Sequence, residues 1–185
     1  MRILTTVALC LVALAFAATS SSRTLQVPPI TANSIAGVKL GLPSNAYIQT
    51  LGTPVRADAG LAGGAFTRLV FTKRKIAVYF SNQADEGLEV VTWNKTDQST
   101  NGLGPCSSIT QLKATYKTRL KPMPSNTING AVYVYHVGNL LFAANGKPPH
   151  PTKRITAIAV YNPTLFHDPK AVSYAGFFIL SSPNC

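Results

Sequence analysis

The sequence predicts an α+β fold: two tandem modules, each a helix followed by a three-strand meander. Their strands share or abut an antiparallel sheet, with the helices on one face. Two observations carry this expectation. The order helix-strand-strand-strand is read twice along the chain, and Gly37-Val-Lys-Leu-Gly41 before Ser44 is echoed by Gly102-Leu-Gly104 before Ser107, 63 residues on. Each half alone is also too small to bury a comfortable core.

The elements follow from local chemistry. Ser44 reads as an N-cap, and Ala46 to Leu51 as a short helix with Tyr47, Ile48 and Leu51 inward, stopped by Gly52 and Pro54. Asp58 to Gly64 reads as a glycine-rich loop. Ala65 to Thr72, Lys75 to Phe80 and Leu88 to Trp93 are apolar, β-branched or aromatic runs and read as strands, the first two joined by a turn at Lys73-Arg74. Ile109 to Lys117 reads as the second helix, with Ile109, Leu112 and Tyr116 on one face and Lys113 and Lys117 on the other. Ala131 to Val137, Leu140 to Ala144 and Ile155 to Tyr161 follow as strands, with a hairpin turn at Gly138-Asn139. Tyr174 to Leu180 reads as a closing strand. The expected organisation is a signal peptide over 1–17, a flexible leader over 18–34, one module over 35–98 and a second over 99–185.

The start of the chain has the order of a secretory signal. Arg2 is the charged region, Ile3 to Phe16 is almost wholly apolar, and Ala15-Phe16-Ala17 supplies small residues for cleavage. The run is shorter than the roughly 20 apolar residues a spanning helix needs, so no transmembrane segment is expected after cleavage. Cys10 leaves with the signal, and Cys106 and Cys185 then read most simply as one disulfide closing a loop of about 80 residues. A catalytic Cys106 is the competing reading. The expected location is secreted or extracytoplasmic, in the cell envelope.

Charge is lopsided: 17 Lys and Arg against 6 Asp and Glu, a net charge of +11. Lys73, Arg74 and Lys75 form one cluster, and Lys113, Lys117, Arg119 and Lys121 another, both candidate anion-binding groups. No arginine-rich tail or aromatic-interleaved nucleic-acid motif occurs, so no specific nucleic-acid partner is expected. Tyr79, Trp93, Tyr133 and Tyr135 are candidates for a binding surface on a sheet face. Strand alternation places Tyr133 and Tyr135 on one side and Val132, Val134 and His136 on the other.

The stretch Gly37-Val-Lys-Leu-Gly-Leu-Pro-Ser44, continued by Leu51-Gly-Thr-Pro54, resembles the opening of the outer-membrane assembly lipoprotein family known as SmpA/OmlA or BamE-like. Two such modules in tandem are similar to the β-lactamase inhibitory protein arrangement. The resemblance implies small exported modules that bind other proteins through an exposed sheet face. The chain has no lipobox, so lipid anchoring is not implied.

Catalytic motifs are sparse. Gly102-Leu-Gly104-Pro-Cys-Ser107 starts like a dinucleotide fingerprint but lacks the third Gly and the later acid. Gly60-Leu-Ala-Gly-Gly64 lacks the Lys-Ser of a phosphate loop. His136, His150 and His167 have no metal-ligand spacing, and no cofactor or metal is expected. Of the acids Asp58, Asp85, Glu86, Glu89, Asp97 and Asp168, only Glu89 with Asp97 or Asp168 suggests an acid–base pair. Asn94-Lys-Thr96 is a formal N-glycosylation acceptor. The functional expectation is an exported, non-catalytic binding or scaffold protein that acts through a sheet face on a protein or envelope partner. Polyanion or anionic-surface binding through the Lys/Arg clusters, or a secreted hydrolase of unrecognised type, are the alternatives.

Overall fold

Runs of β-branched and aromatic residues build one large sheet in this protein, and the helices are small additions to it. The computed structural model describes residues 27–60, 66–127, 130–145, 153–163 and 185. A two-residue hairpin comes first, β1 (Ser34–Ile35) and β2 (Val38–Lys39), turned by Ala36 and Gly37 with φ of 50° and 82°. Helix α1 spans Ser44–Leu51, followed by β3 (Arg56–Gly60), β4 (Phe66–Phe71), β5 (Ile76–Ser81) and β6 (Glu86–Thr92). Helix α2 (Ile109–Tyr116) and a 3-10 turn (Lys117–Arg119) lead into β7 (Lys121–Thr127), β8 (Gly130–Val137), β9 (Leu140–Asn145) and β10 (Ala157–Tyr161).

These last eight strands form a single antiparallel sheet of order β3-β4-β5-β6-β10-β9-β8-β7. Its middle seam is the β6–β10 pair, in register from Thr92 opposite Ile158 to Glu89 opposite Tyr161. That continuous sheet overturns the expected pair of helix-plus-three-strand meanders, and the tandem-repeat reading goes with it. Two strands of this sheet were missing from the expectation. Arg56–Gly60, overlapping the loop expected over Asp58 to Gly64, pairs with β4 from Arg56 opposite Val70 to Asp58 opposite Arg68. Lys121–Thr127 carries Pro122 and Pro124, which remove ladder donors; a terminal position in the sheet tolerates them. The Tyr174–Leu180 strand, the signal segment, His150, His167 and Asp168 lie outside the described residues.

The BamE-like resemblance is likewise overturned, because the motif that carried it encodes only local geometry. Gly37, Gly41 and Gly52 have φ of 82°, 77° and 89°, so they turn the β1–β2 hairpin, the approach to α1 and its exit. Such residues fit any short helix flanked by tight turns.

The sheet's first face carries α1 and α2. Tyr47 from α1 meets Phe80 edge-on at 5.2 Å, and Tyr116 from α2 meets Phe142 at 5.6 Å. Val90, Leu112, Phe142 and Ile158 are fully buried between them, each such side chain contributing about 1.5–3 kcal/mol. Residues expected in a flexible leader join this core: Ile30 is buried and its N–H bonds the Gln98 carbonyl at 2.8 Å. The second face buries Tyr79, Val91, Trp93, Leu141 and Ala159.

Candidate functional site

Helix α1 is held tightly at one end and leaves an open groove at the other. Its N-cap is Pro43, not the expected Ser44, and the Ser44 N–H instead bonds Asp85 Oδ1 at 3.2 Å, a carboxylate from the β5–β6 turn. The buried Tyr47 hydroxyl donates to the Lys39 carbonyl at 2.6 Å and accepts from the Leu42 N–H at 3.3 Å. Burial pushes its pKa up to about 12. Ile48, expected inward, is 39% exposed.

Beyond Leu51 the helix ends at Gly52, whose N–H bonds the Ile48 carbonyl at 2.9 Å. Two hollows flank Leu51. One, of about 420 Å³, is walled by Val38, Leu51 and Ile76 and edged by Arg74, Asn94 and Asp97. The other, of about 340 Å³, runs over Pro54, Val55 and Phe71 to Lys73. The sequence brings these residues together from the β1–β2 hairpin, α1, the β4–β5 turn and the loop after β6. That loop is folded by the Asp97 N–H, bonded to the Asn94 carbonyl at 3.0 Å.

Asp97 borders the first hollow and is only 2% exposed. Its Oδ2 accepts from Thr92 Oγ1 at 2.6 Å and its Oδ1 from Asn94 Nδ2 at 3.4 Å. Burial raises its pKa, while the Thr92 bond and the nearby Arg74 charge pull it back down. An apolar hollow with a few convergent polar groups and a perturbed carboxyl is the usual form of a binding site.

Glu89, the residue weighed as an acid–base partner of Asp97, is not in this hollow. It alternates with Val90 on β6 and so lies on the opposite face, between Tyr79 of β5 and Tyr161 of β10 in register. It is fully buried, both carboxyl oxygens lack a hydrogen-bond partner among the described residues, and burial holds its pKa well above the usual carboxylate range. The sheet separates the two acids, so they do not face one another across a cleft. Among the described residues, no three of His, Cys, Asp and Glu come together as a metal site. His136 sits opposite Lys121; burial and that charge lower its pKa.

The other sequence candidates are dispersed. Tyr79 and Trp93 are buried on the second face, and Tyr135 on the first beside the half-buried Tyr133. They do not form one exposed surface. Lys73, Arg74 and Lys75 are exposed in the β4–β5 turn. Lys113, Lys117, Arg119 and Lys121 are exposed too, but Lys121 lies on the edge strand β7, opposite His136. It is five strand spacings, about 24 Å, from β5, where the turn carrying the first cluster ends. Lys113 instead places Nζ 5.9 Å from the Tyr135 ring centre.

Cys106 and Cys185 form a disulfide. Such bonds persist in oxidising compartments, which agrees with the secreted or extracytoplasmic location expected from the sequence. Among the described residues no helix is long and apolar enough to cross a membrane.

No family model matches the chain, and no curated protein matches it. Two solved structures are similar to it in part. One is an extracellular protein containing an SCP domain from Bacillus anthracis, 8% identical with a TM-score of 0.47, the match covering 77% of this chain and 50% of that one. The other is a cysteine-rich secretory protein from Staphylococcus aureus, 9% identical with a TM-score of 0.40, covering 68% and 46%. The chain thus spans about half the length of each.

Proposed function

We propose that this is an exported, non-catalytic binding protein that holds a segment of a protein or envelope partner in the groove around Leu51. One observation supports the reading above the others: apolar walls from Val38, Leu51 and Ile76 meet Arg74, Asn94 and Asp97 in a hollow of about 420 Å³. Its polar groups are suited to holding and orienting. Asp97 is already tied to Thr92 and Asn94, and the Thr92 hydroxyl is buried and engaged, so it is no free nucleophile. The binding surface in this reading is the groove, not a sheet face.

The test is selection from a random peptide display library on the immobilised protein, with Thr50→Trp as the groove-filling control. Thr50 is exposed and borders the hollow, so the variant should melt like the parent. Enrichment of peptides that the parent retains and Thr50→Trp releases is the expected result. Equal retention by both proteins, or no enrichment, would overturn the reading.

A further inference from the structure

We propose that the groove takes an extended peptide with two apolar side chains at alternate positions, one on each side of Leu51, and a neighbouring carboxylate held by Lys73 and Arg74. This rests on the binding reading above and specifies the class of partner.

The divided shape is the first ground. Leu51 borders both hollows, of about 420 and 340 Å³. An extended chain sends residues i and i+2 to the same side about 6.5–7 Å apart, which suits two hollows with a side chain between them. A continuous acyl chain would have to cross that ridge.

Charge is the second. Lys73 borders one hollow and Arg74 the other. They follow one another in a turn closed by Arg74 N–H to the Phe71 carbonyl and Lys75 N–H to the Thr72 carbonyl, each 3.1 Å. An arginine and a lysine on one lip favour a carboxylate.

Hydrogen-bond capacity is the third. Asp97 Oδ2 accepts one hydrogen bond from Thr92 and Oδ1 one from Asn94 at the hollow's edge, and a carboxylate has room for more. A peptide supplies backbone N–H donors to such an acceptor, and a hydrocarbon chain supplies none.

The experiment uses fluorescein-labelled nonapeptides in anisotropy titrations against the mature chain. The probe has two leucines at alternate positions flanked by glutamates; its controls replace the glutamates by lysines, or the leucines by serines. Vesicles of anionic phospholipid form a separate arm. The expected result is binding of the acidic leucine peptide at least tenfold tighter than either control, weakening as salt rises. Lys73→Glu/Arg74→Glu should reverse the preference toward the lysine peptide, which a merely unfolded variant would not do. If peptides bind in a Thr50→Trp-sensitive way but without regard to charge or to Lys73→Glu/Arg74→Glu, the acidic class is wrong and the groove reading survives. If no peptide binds and vesicles do, both are overturned.

Discussion

Thr92 Oγ1 donates a 2.6 Å hydrogen bond to Asp97 Oδ2 beneath the Leu51 groove. The same hydroxyl oxygen accepts from the Asn94 N–H at 3.1 Å, so one side chain holds both the carboxyl and the loop that carries it. Thr92→Val removes this link. We expect a loss of about 1–3 kcal/mol in urea unfolding, because a buried acceptor loses its partner. The bond favours the charged carboxylate, so the Asp97 pKa should rise further in the variant, and the destabilisation should be larger at pH 7 than at pH 4. An NMR titration of the Asp97 carboxyl checks the first point and unfolding at the two pH values the second.

Glu89 gives the protein an inverted acid response. A carboxyl whose pKa is raised in the folded state binds more protons there than when unfolded, above its ordinary value of 4.5. Stability contributed by Glu89 is therefore greatest at low pH. It falls as pH rises from that value toward the folded pKa, by at most about 1.4 kcal/mol per unit. Glu89→Gln should flatten this component, so that the parent loses ground to the variant between pH 5 and pH 8. Parallel stability curves for the two proteins would contradict it.

Gly87 has no room for a methyl group. A Cβ there would meet the ring and hydroxyl of Tyr47, the residue that seats α1. Gly87→Ala should therefore lower stability by about 1–3 kcal/mol and loosen α1. Thermal melting reads the first effect, and amide exchange at Ile48 and Gly52 the second.

The disulfide ties Cys185 to a residue that is itself pinned. Cys106 donates its N–H to the Ile155 carbonyl at 2.7 Å, and its own carbonyl accepts from Arg154 Nη1 at 2.8 Å. With its ends 79 positions apart in sequence, the bond stabilises by at most about 4.5 kcal/mol in the chain-entropy model. Replacing both cysteines by serine should lower the denaturant midpoint by up to that equivalent, and thiol counting of the native parent should find neither cysteine free.

The strands that could be read from sequence were those with continuous β-branched or aromatic runs, such as Ile76–Ser81 and Leu140–Asn145. Arg56–Gly60 was hidden because Ala, Asp and Gly are poor strand formers, and its pairing with β4 overrides that weak preference. Lys121–Thr127 was hidden by its prolines. The joining of everything into one sheet was hidden for a different reason: it depends on β6 meeting β10, a pairing that no local pattern announces. The groove was harder still, since Val38, Leu51, Arg74 and Asp97 come from four separate segments. Asp97 was weighed only as one of two acid–base partners for Glu89, and the sheet reveals that Glu89 and Asp97 face opposite ways.

The β6–β10 seam also governs when this molecule can finish folding. Thr92 and Ile158 are neighbours at the sheet's centre but far apart along the chain, so the middle of the sheet waits for a strand made well after β6. Non-local pairing of that kind slows folding. Hairpins on either side can pair early, and the sheet closes only when β10 reaches β6.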